Sequence, residues 1–171
     1  MLELVEMKQD LKLLDVGGGT GRAAVLFAGL TRNLVVADAA FNMLRKSKGK
    51  GIPSVQSQSE HIPFKDGAFD RIIMVDALHH VADQQQTINE MRRLLAPKGK
   101  MVIEEPDIHN FVVKLIALGE KLLLMRSHFL SPVEIAAMSN HEPVNSVEVH
   151  RENGVAWIII TNENLEPIRS Q

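Results

Sequence analysis

Leu13-Leu14-Asp15-Val16-Gly17-Gly18-Gly19-Thr20-Gly21-Arg22 is the stretch whose reading decides the fold. An apolar run enters a glycine cluster and leaves into a helix-like segment, Ala23 to Leu30. That pattern predicts a strand, a tight turn and a helix N-terminus, which brings backbone N–H groups close to a nucleotide-like ligand. Gly17 and Gly19 let the backbone approach a ligand without a Cβ in the way. A helix starting near Thr20 offers free N–H groups and a partial positive charge, suited to a carboxylate as well as a phosphate. Asp15, at the strand end, is placed to accept from an ammonium group. A zwitterionic amino-acid tail would satisfy both features. Taken alone, the cluster also fits a purely structural turn.

The next segments follow in order. Asn33 to Ala37 reads as a second strand ending at Asp38, followed by Ala39. An acid roughly 20 residues beyond the glycine turn can accept from ribose hydroxyls; the alternative is that Asp38 caps the next helix. Ala40 is a poor cap for that helix. Gln58-Ser59-Glu60-His61-Ile62-Pro63-Phe64 leads through the turn Lys65-Asp66-Gly67 into a central strand, Arg71 to Asp76. That strand runs into Ala77-Leu78-His79-His80-Val81. In open parallel sheets ligands bind beyond the carboxyl ends of the strands, so Asp76, His79 and His80 fall where chemistry would occur. Either histidine is titratable near neutrality and suits a general base; each equally suits a structural role, bonded to backbone or packed in the following helix. Phe64 and Phe69 read as core.

The glycine segment resembles motif I of class I S-adenosylmethionine-dependent methyltransferases. The Gly17-x-Gly19-x-Gly21 spacing departs from the Gly-x-Gly-x-x-Gly of dinucleotide-binding dehydrogenases. Ala-Leu-His-His-Val is similar to the quinone-biosynthesis and related small-molecule branch and unlike the Asn-Pro-Pro-Tyr motif of amino-directed enzymes. The resemblance covers roughly Leu11 to Pro106. It implies an α/β, three-layer Rossmann-like fold with a mostly parallel seven-stranded sheet and a C-terminal antiparallel hairpin. It also implies S-adenosylmethionine as cofactor, held by Asp15, Gly17, Gly18, Gly19, Asp38, Ala39, Gln58, Ser59, Glu60 and Asp76, with His79 and His80 as catalytic candidates. The family usually has Asp-Ala-Glu where this chain has Gln58-Ser59-Glu60; the Gln58 amide oxygen still accepts from an adenine amino group. The turn Ala96-Pro97-Lys98-Gly99-Lys100 stands where the family has Leu-Lys-Pro-Gly-Gly, before a fifth strand, Met101 to Glu104.

Composition bounds the rest. The 171 residues suit one domain, with the family's N-terminal cap largely missing, since only about ten residues precede the first strand. The net charge of −2 shows no basic stripe, against duplex nucleic acid as a partner. Cysteine is absent, which excludes disulfides, thiolate metal sites and cysteine-dependent chemistry. No signal pattern opens the chain, and a cytoplasmic location is expected. The apolar stretch Ile108 to Met125, interrupted by Lys114, Glu120 and Lys121, is too short and charged for a membrane span. It is a candidate to close the site, as is a second copy of the chain; the plainer reading is an outer helix on the sheet. Glu104, Glu105, Asp107 and His109 read as a solvated acidic loop with a pocket-facing member, and no metal is expected. Ser131-Pro132-Val133-Glu134 is a capping box for a helix to Met138. Val144 to His150 and Gly154 to Thr161 read as strands joined through Asn153-Gly154, with Trp157 in the core.

The expected function is methyl transfer to a small, apolar molecule at oxygen or carbon. Two alternatives stand beside it. One is a protein that binds S-adenosylmethionine or S-adenosylhomocysteine without turnover; the other is a nicotinamide-dependent oxidoreductase sharing only the sheet.

Overall fold

Leu13–Val16 forms strand β1 with all four residues buried. An apolar run without polar alternation belongs in a parallel sheet covered on both faces. In the computed structural model, which describes residues 1–108, 128–139 and 145–164, β1 lies inside such a sheet, flanked by β2 and the central β4. Its companions are β2 (Leu34–Asp38), β3 (Ser54–Gln56), β4 (Phe69–Val75), β5 (Leu95–Pro106), β6 (Asn145–Glu152) and β7 (Val155–Asn162), in the order β3-β2-β1-β4-β5-β7-β6. The first five run parallel, and β7 is antiparallel to both its neighbours. This is the seven-stranded architecture with a C-terminal hairpin that the sequence predicts.

Alternate residues along β4 feed two cores. Ile72 and Met74 face one, with Ile88, Met91 and Leu94 of α3 (Gln84–Leu94) and Ile135 of α4 (Pro132–Ser139). Ile73 faces the other, with Val5 of α1 (Leu2–Val5), Phe27, and Leu44 of α2 (Phe41–Gly49). Two helices start with the side-chain caps their sequences predict. Asp83 caps α3 by accepting from the Gln86 N–H at 2.9 Å. Ser131 and Glu134 cap α4 reciprocally, at 3.3 and 2.7 Å. The hairpin turns on Asn153 and Gly154, both at positive φ (52° and 80°), as a two-residue turn matched to the strand twist requires.

Three expectations are corrected. Ala23 to Leu30 is not an α-helix: Ala24–Phe27 makes one 3-10 turn, with Leu26 N–H bonded to Ala23 O and Leu30 N–H to Phe27 O. A segment this short, ending beside Gly29, is too brief to propagate an α-helix and tightens instead. The helix-dipole argument at Thr20 therefore falls. The turn Ala96 to Lys100 is not separate from the fifth strand. β5 begins at Leu95, and the pairing jumps from Phe69–Leu95 to Arg71–Lys100 across a bulge with Lys98 at φ 59°. Asn162 stabilises the bulge by donating to Ala96 O at 3.0 Å. Trp157 is half-buried rather than core. His109, Val144 and the stretch from 109 to Met125 lie outside the described residues.

Candidate functional site

Strand order reverses between β1 and β4, because the chain leaves β1 towards β2 and returns on the other side. Such a switch point opens a crevice at the carboxyl ends of the strands. Gly17 stands at its lip, at φ 67°, where a Cβ would come within 2.8 Å of Ala77 Cβ. Only glycine fits there. A Cβ on Gly18 would lie 2.4 Å from Asp15 Oδ2, so the glycine loop rests directly on that carboxyl. Asp15 is fully buried, and neither oxygen has a well-aligned hydrogen-bond partner; the Ala24 N–H lies close by. Burial pushes its pKa up to about 7; Asp38 adds to the rise, while the Ala24 N–H and Arg22 temper it.

Asp38 combines the two roles weighed from sequence. Its Oδ1 accepts from Ala40 N–H at 2.7 Å, doing for α2 what the Ala40 side chain cannot. Its Oδ2 accepts from Gly19 N–H at 2.8 Å and so ties the glycine loop to the end of β2. A carboxylate has lone pairs beyond these two bonds for a ligand hydroxyl.

The segment after β3 is held by α3. Glu90 Oε1 accepts from Ile62 N–H at 2.7 Å. Arg93 grips both Glu90 oxygens (2.7 and 2.8 Å), Asp66 (2.5 Å) and the carbonyls of Ile62 and Phe64. Phe64 meets Phe69 edge-on at 4.9 Å, in the core as expected. Gln58, Ser59 and Glu60 are thereby presented to the crevice. Glu60 Oε1 also accepts from Ala82 and Asp83 N–H, both at 3.1 Å, which fixes the opposite wall.

That wall follows β4. Asp76 sits at φ 55°, donates its N–H to Glu104 O at 2.8 Å, and brings its carboxylate to 3.9 Å from Arg22. Glu105, 4% exposed, accepts from Ala77 N–H (3.0 Å) and Leu78 N–H (2.7 Å) on one oxygen and meets His79 Nδ1 at 2.5 Å on the other. His79 is therefore buried in a clamp, with Phe129 stacked on it at 4.4 Å and His80 at 3.9 Å. His80 alone of the pair reaches the crevice.

The result is a cavity of about 350 Å³. Gly17, Asp38, Ala39, Gln58, Ser59, Glu60, Asp76 and His80 line it, together with Ala77, Val81 and Ala82. Of the residues singled out from sequence, Asp15, Gly18, Gly19 and His79 lie behind the wall. Glu105 was missed: in sequence it is one of four polar residues read as a loop, and only its position one step past the site end of a central strand hints at burial. Among the described residues no cluster of His, Asp and Glu is placed to hold a metal. Among the same residues no helix is long and apolar enough to cross a membrane.

Comparison with known proteins identifies the domain and its fold. Residues 14–103 match the family model of the methyltransferase domain. The chain is 31% identical over 125 residues to a demethylmenaquinone methyltransferase from Mycolicibacterium vanbaalenii, covering 73% of this chain and 54% of that one. It is 32% identical over 110 residues to the ubiquinone/menaquinone biosynthesis C-methyltransferase UbiE of Haemophilus ducreyi, covering 58% and 42%. The chain thus spans about half the length of these relatives. The solved structure of YcgJ from Bacillus subtilis superposes with a TM-score of 0.76 at 23% identity, covering 88% of this chain and 68% of that one. A methyltransferase structure from Aquifex aeolicus does so at 0.73 and 16%, covering 94% and 87%. This chain belongs to the class I S-adenosylmethionine-dependent methyltransferases.

The residues present fit the family's cofactor. A glycine loop with no room for Cβ at Gly17 and Gly18, an acid at the end of β2 with lone pairs left over, and a crevice beyond the strand ends fit an adenosyl amino acid.

Proposed function

We propose that this chain transfers a methyl group from S-adenosylmethionine to a small, apolar acceptor, with a ring carbon of a quinone-like molecule as the favoured target. The supporting observation is the cavity at the β1–β4 switch point, walled by residues from the ends of four parallel strands. Asp38 receives the ribose hydroxyls, and Gln58 to Glu60 flank the adenine. Gly17 to Gly19 cradle the amino-acid tail, with the Asp15 carboxyl beneath the loop setting its shape and field. The name of the UbiE relative, a C-methyltransferase, favours carbon as the acceptor atom.

When bound, the cofactor supplies an electrophilic methyl carbon on a sulfonium. The chain contributes alignment and field. Asp76, set by Glu104 and facing Arg22, places negative charge at the cavity wall. His80 faces the acceptor side and takes up the proton that the acceptor releases. His79 and Glu105 hold the backbone that carries His80.

Calorimetric titration with S-adenosylmethionine, S-adenosylhomocysteine and NADH tests the reading. Both adenosyl ligands are expected to bind and NADH not to. Asp38→Asn, which keeps an acceptor for only one of the two backbone N–H groups Asp38 holds, is expected to weaken adenosyl binding at least tenfold. In an acceptor screen, His80→Ala should lower kcat by about 10²-fold or more. Binding of NADH alone would replace the methyltransferase by an oxidoreductase. Adenosyl binding without turnover of any acceptor would leave a binding protein.

A further inference from the structure

One face of the sheet is covered by a thin layer made of α1, the 3-10 turn Ala24–Phe27 and α2, packed over a core that includes Val5, Phe27 and Leu44. The pieces of this layer touch. Leu2 and Leu26 line a common cavity, and Lys50, just past α2, donates to Thr20 O at 2.9 Å. Eight large apolar side chains are exposed among the described residues, and six of them stand on this layer: Leu2, Val25, Leu26, Leu30, Phe41 and Met43. Of the six, Phe41 and Leu26 protrude most, at 56% and 54% exposed. α2 buries only Leu44 and Ser47 of its nine residues. Single exposed apolar residues are ordinary, but their concentration on one layer marks a surface that meets a partner.

The charge of the same layer is one-sided. Residues 20–50 carry Arg22, Arg32, Arg45, Lys46, Lys48 and Lys50, all exposed. Against them stands the single carboxylate of Asp38, which holds the Gly19 and Ala40 N–H groups. The stretch is therefore +5 and the rest of the chain −7, within a total of −2. This corrects the expectation that the chain has no basic stripe. Arg22 meets Asp76 only at 3.9 Å. Among the described residues, Arg32, Arg45, Lys46 and Lys48 take part in no ion pair.

This combination selects the partner. A second copy laid face to face would set +5 against +5. A nucleic acid would answer the cations, but aliphatic side chains gain nothing from phosphodiesters, and Phe41 is the one ring among the six for a base to stack on. An anionic lipid surface answers both features: headgroup phosphates meet the cations, and the apolar side chains enter the interface. We propose that this layer is a peripheral docking surface for anionic lipid membranes, with α2 lying along the headgroups and Phe41 and Leu26 entering the interface. α2 starts two residues past Ala39, which lines the switch-point cavity with Asp38, so docking sets that cavity beside the lipid. An apolar acceptor dissolved in the bilayer then reaches the site without crossing water, a consequence that rests on the proposed function above.

Co-sedimentation of the whole chain with vesicles tests the assignment. The vesicles are pure phosphatidylcholine, or phosphatidylcholine with one-third phosphatidylglycerol. The chain is expected to bind the phosphatidylglycerol vesicles, and the neutral ones at least tenfold more weakly. Raising NaCl from about 0.1 M to about 1 M, which shortens the screening length from about 10 Å to about 3 Å, should release it. Lys46→Glu with Lys48→Glu, and separately Arg32→Glu with Arg45→Glu, should each weaken binding at least tenfold. The two pairs check each other if one fails to fold. Phe41→Ser should weaken binding about threefold or more. Lys65→Glu with Lys98→Glu makes the same change in net charge at exposed positions outside the layer and should leave binding unchanged. Absence of binding to phosphatidylglycerol vesicles overturns the proposal. Equal losses in the layer pairs and the outside pair overturn it too, because net charge alone would then act. An unaffected Phe41→Ser overturns the seating of α2 in the interface. A dimer that the layer pairs dissolve, or duplex DNA binding that they abolish, without vesicle binding gives the surface to a second copy or to nucleic acid instead. Vesicle binding is read with no cofactor or acceptor present, so each of these failures leaves the methyltransferase reading standing.

Discussion

At the scale of one residue, Asp15 carries the most testable physics. Its carboxyl is shut beneath Gly18 with no well-aligned hydrogen-bond partner, and burial raises its pKa to about 7. In the unfolded chain the value is near 3.9. The folded state therefore holds a proton that the unfolded state has lost. The associated stability is complete below about pH 4 and is lost as pH rises through 7. Urea unfolding at pH 5 and pH 8 should show the wild type weaker at pH 8 by about 2–3 kcal/mol on this account. Asp15→Asn should remove most of that difference, since an amide has no proton to lose in this range. The legibility of the residue was partial. Its place at a strand end two residues before the first glycine is plain in the sequence. Its burial is not, because burial depends on Gly18 folding over it.

At the scale of elements, the site is built by staples between segments far apart in the chain. Arg93 of α3 binds Glu90, Asp66 and two carbonyls of the segment that presents Gln58 to Glu60. Burial pulls the Glu90 pKa upward, yet the Arg93 hydrogen bonds and the Ile62 N–H outweigh it and hold the group below its ordinary value. This support is present above about pH 4 and is lost as acid titrates Glu90. Arg93→Ala leaves a nearly buried carboxylate without its cation and should cost about 3 kcal/mol in denaturant unfolding. S-adenosylhomocysteine affinity should fall in the same variant, since the adenine wall loses its anchor. The sequence shows the turn Lys65-Asp66-Gly67 and the start of α3 separately. It does not show that Arg93 bridges them, because the pairing spans tens of residues and has no periodicity to betray it. The same holds for Glu105, which clamps Ala77, Leu78 and His79 from the neighbouring strand.

At the scale of the whole molecule, the switch-point cavity exists only when β1 to β4 lie side by side, so a ligand there binds the folded chain and not the unfolded one. S-adenosylhomocysteine at a hundred times its Kd should add about 2.7 kcal/mol of stability. For a chain of this length that raises Tm by roughly 5–10 °C, measurable by a thermal melt. NADH should leave Tm unchanged. A melt insensitive to S-adenosylhomocysteine at that excess would show that the cavity does not take the cofactor.

The sequence by itself determined the order of strands and turns, the glycine loop, the acid at the end of β2, the capping box of α4 and the Asn153-Gly154 hairpin. These are local signals: apolar runs, positive-φ residues and caps act over a few neighbouring residues. Tertiary structure alone decided which polar groups are buried and which face a cavity. It turned Ala23 to Leu30 into a 3-10 turn, sent His79 into a clamp and His80 to the wall, and drew Trp157 out of the core onto Glu104. Those outcomes depend on which strands become neighbours, and neighbouring strands here come from distant parts of the chain.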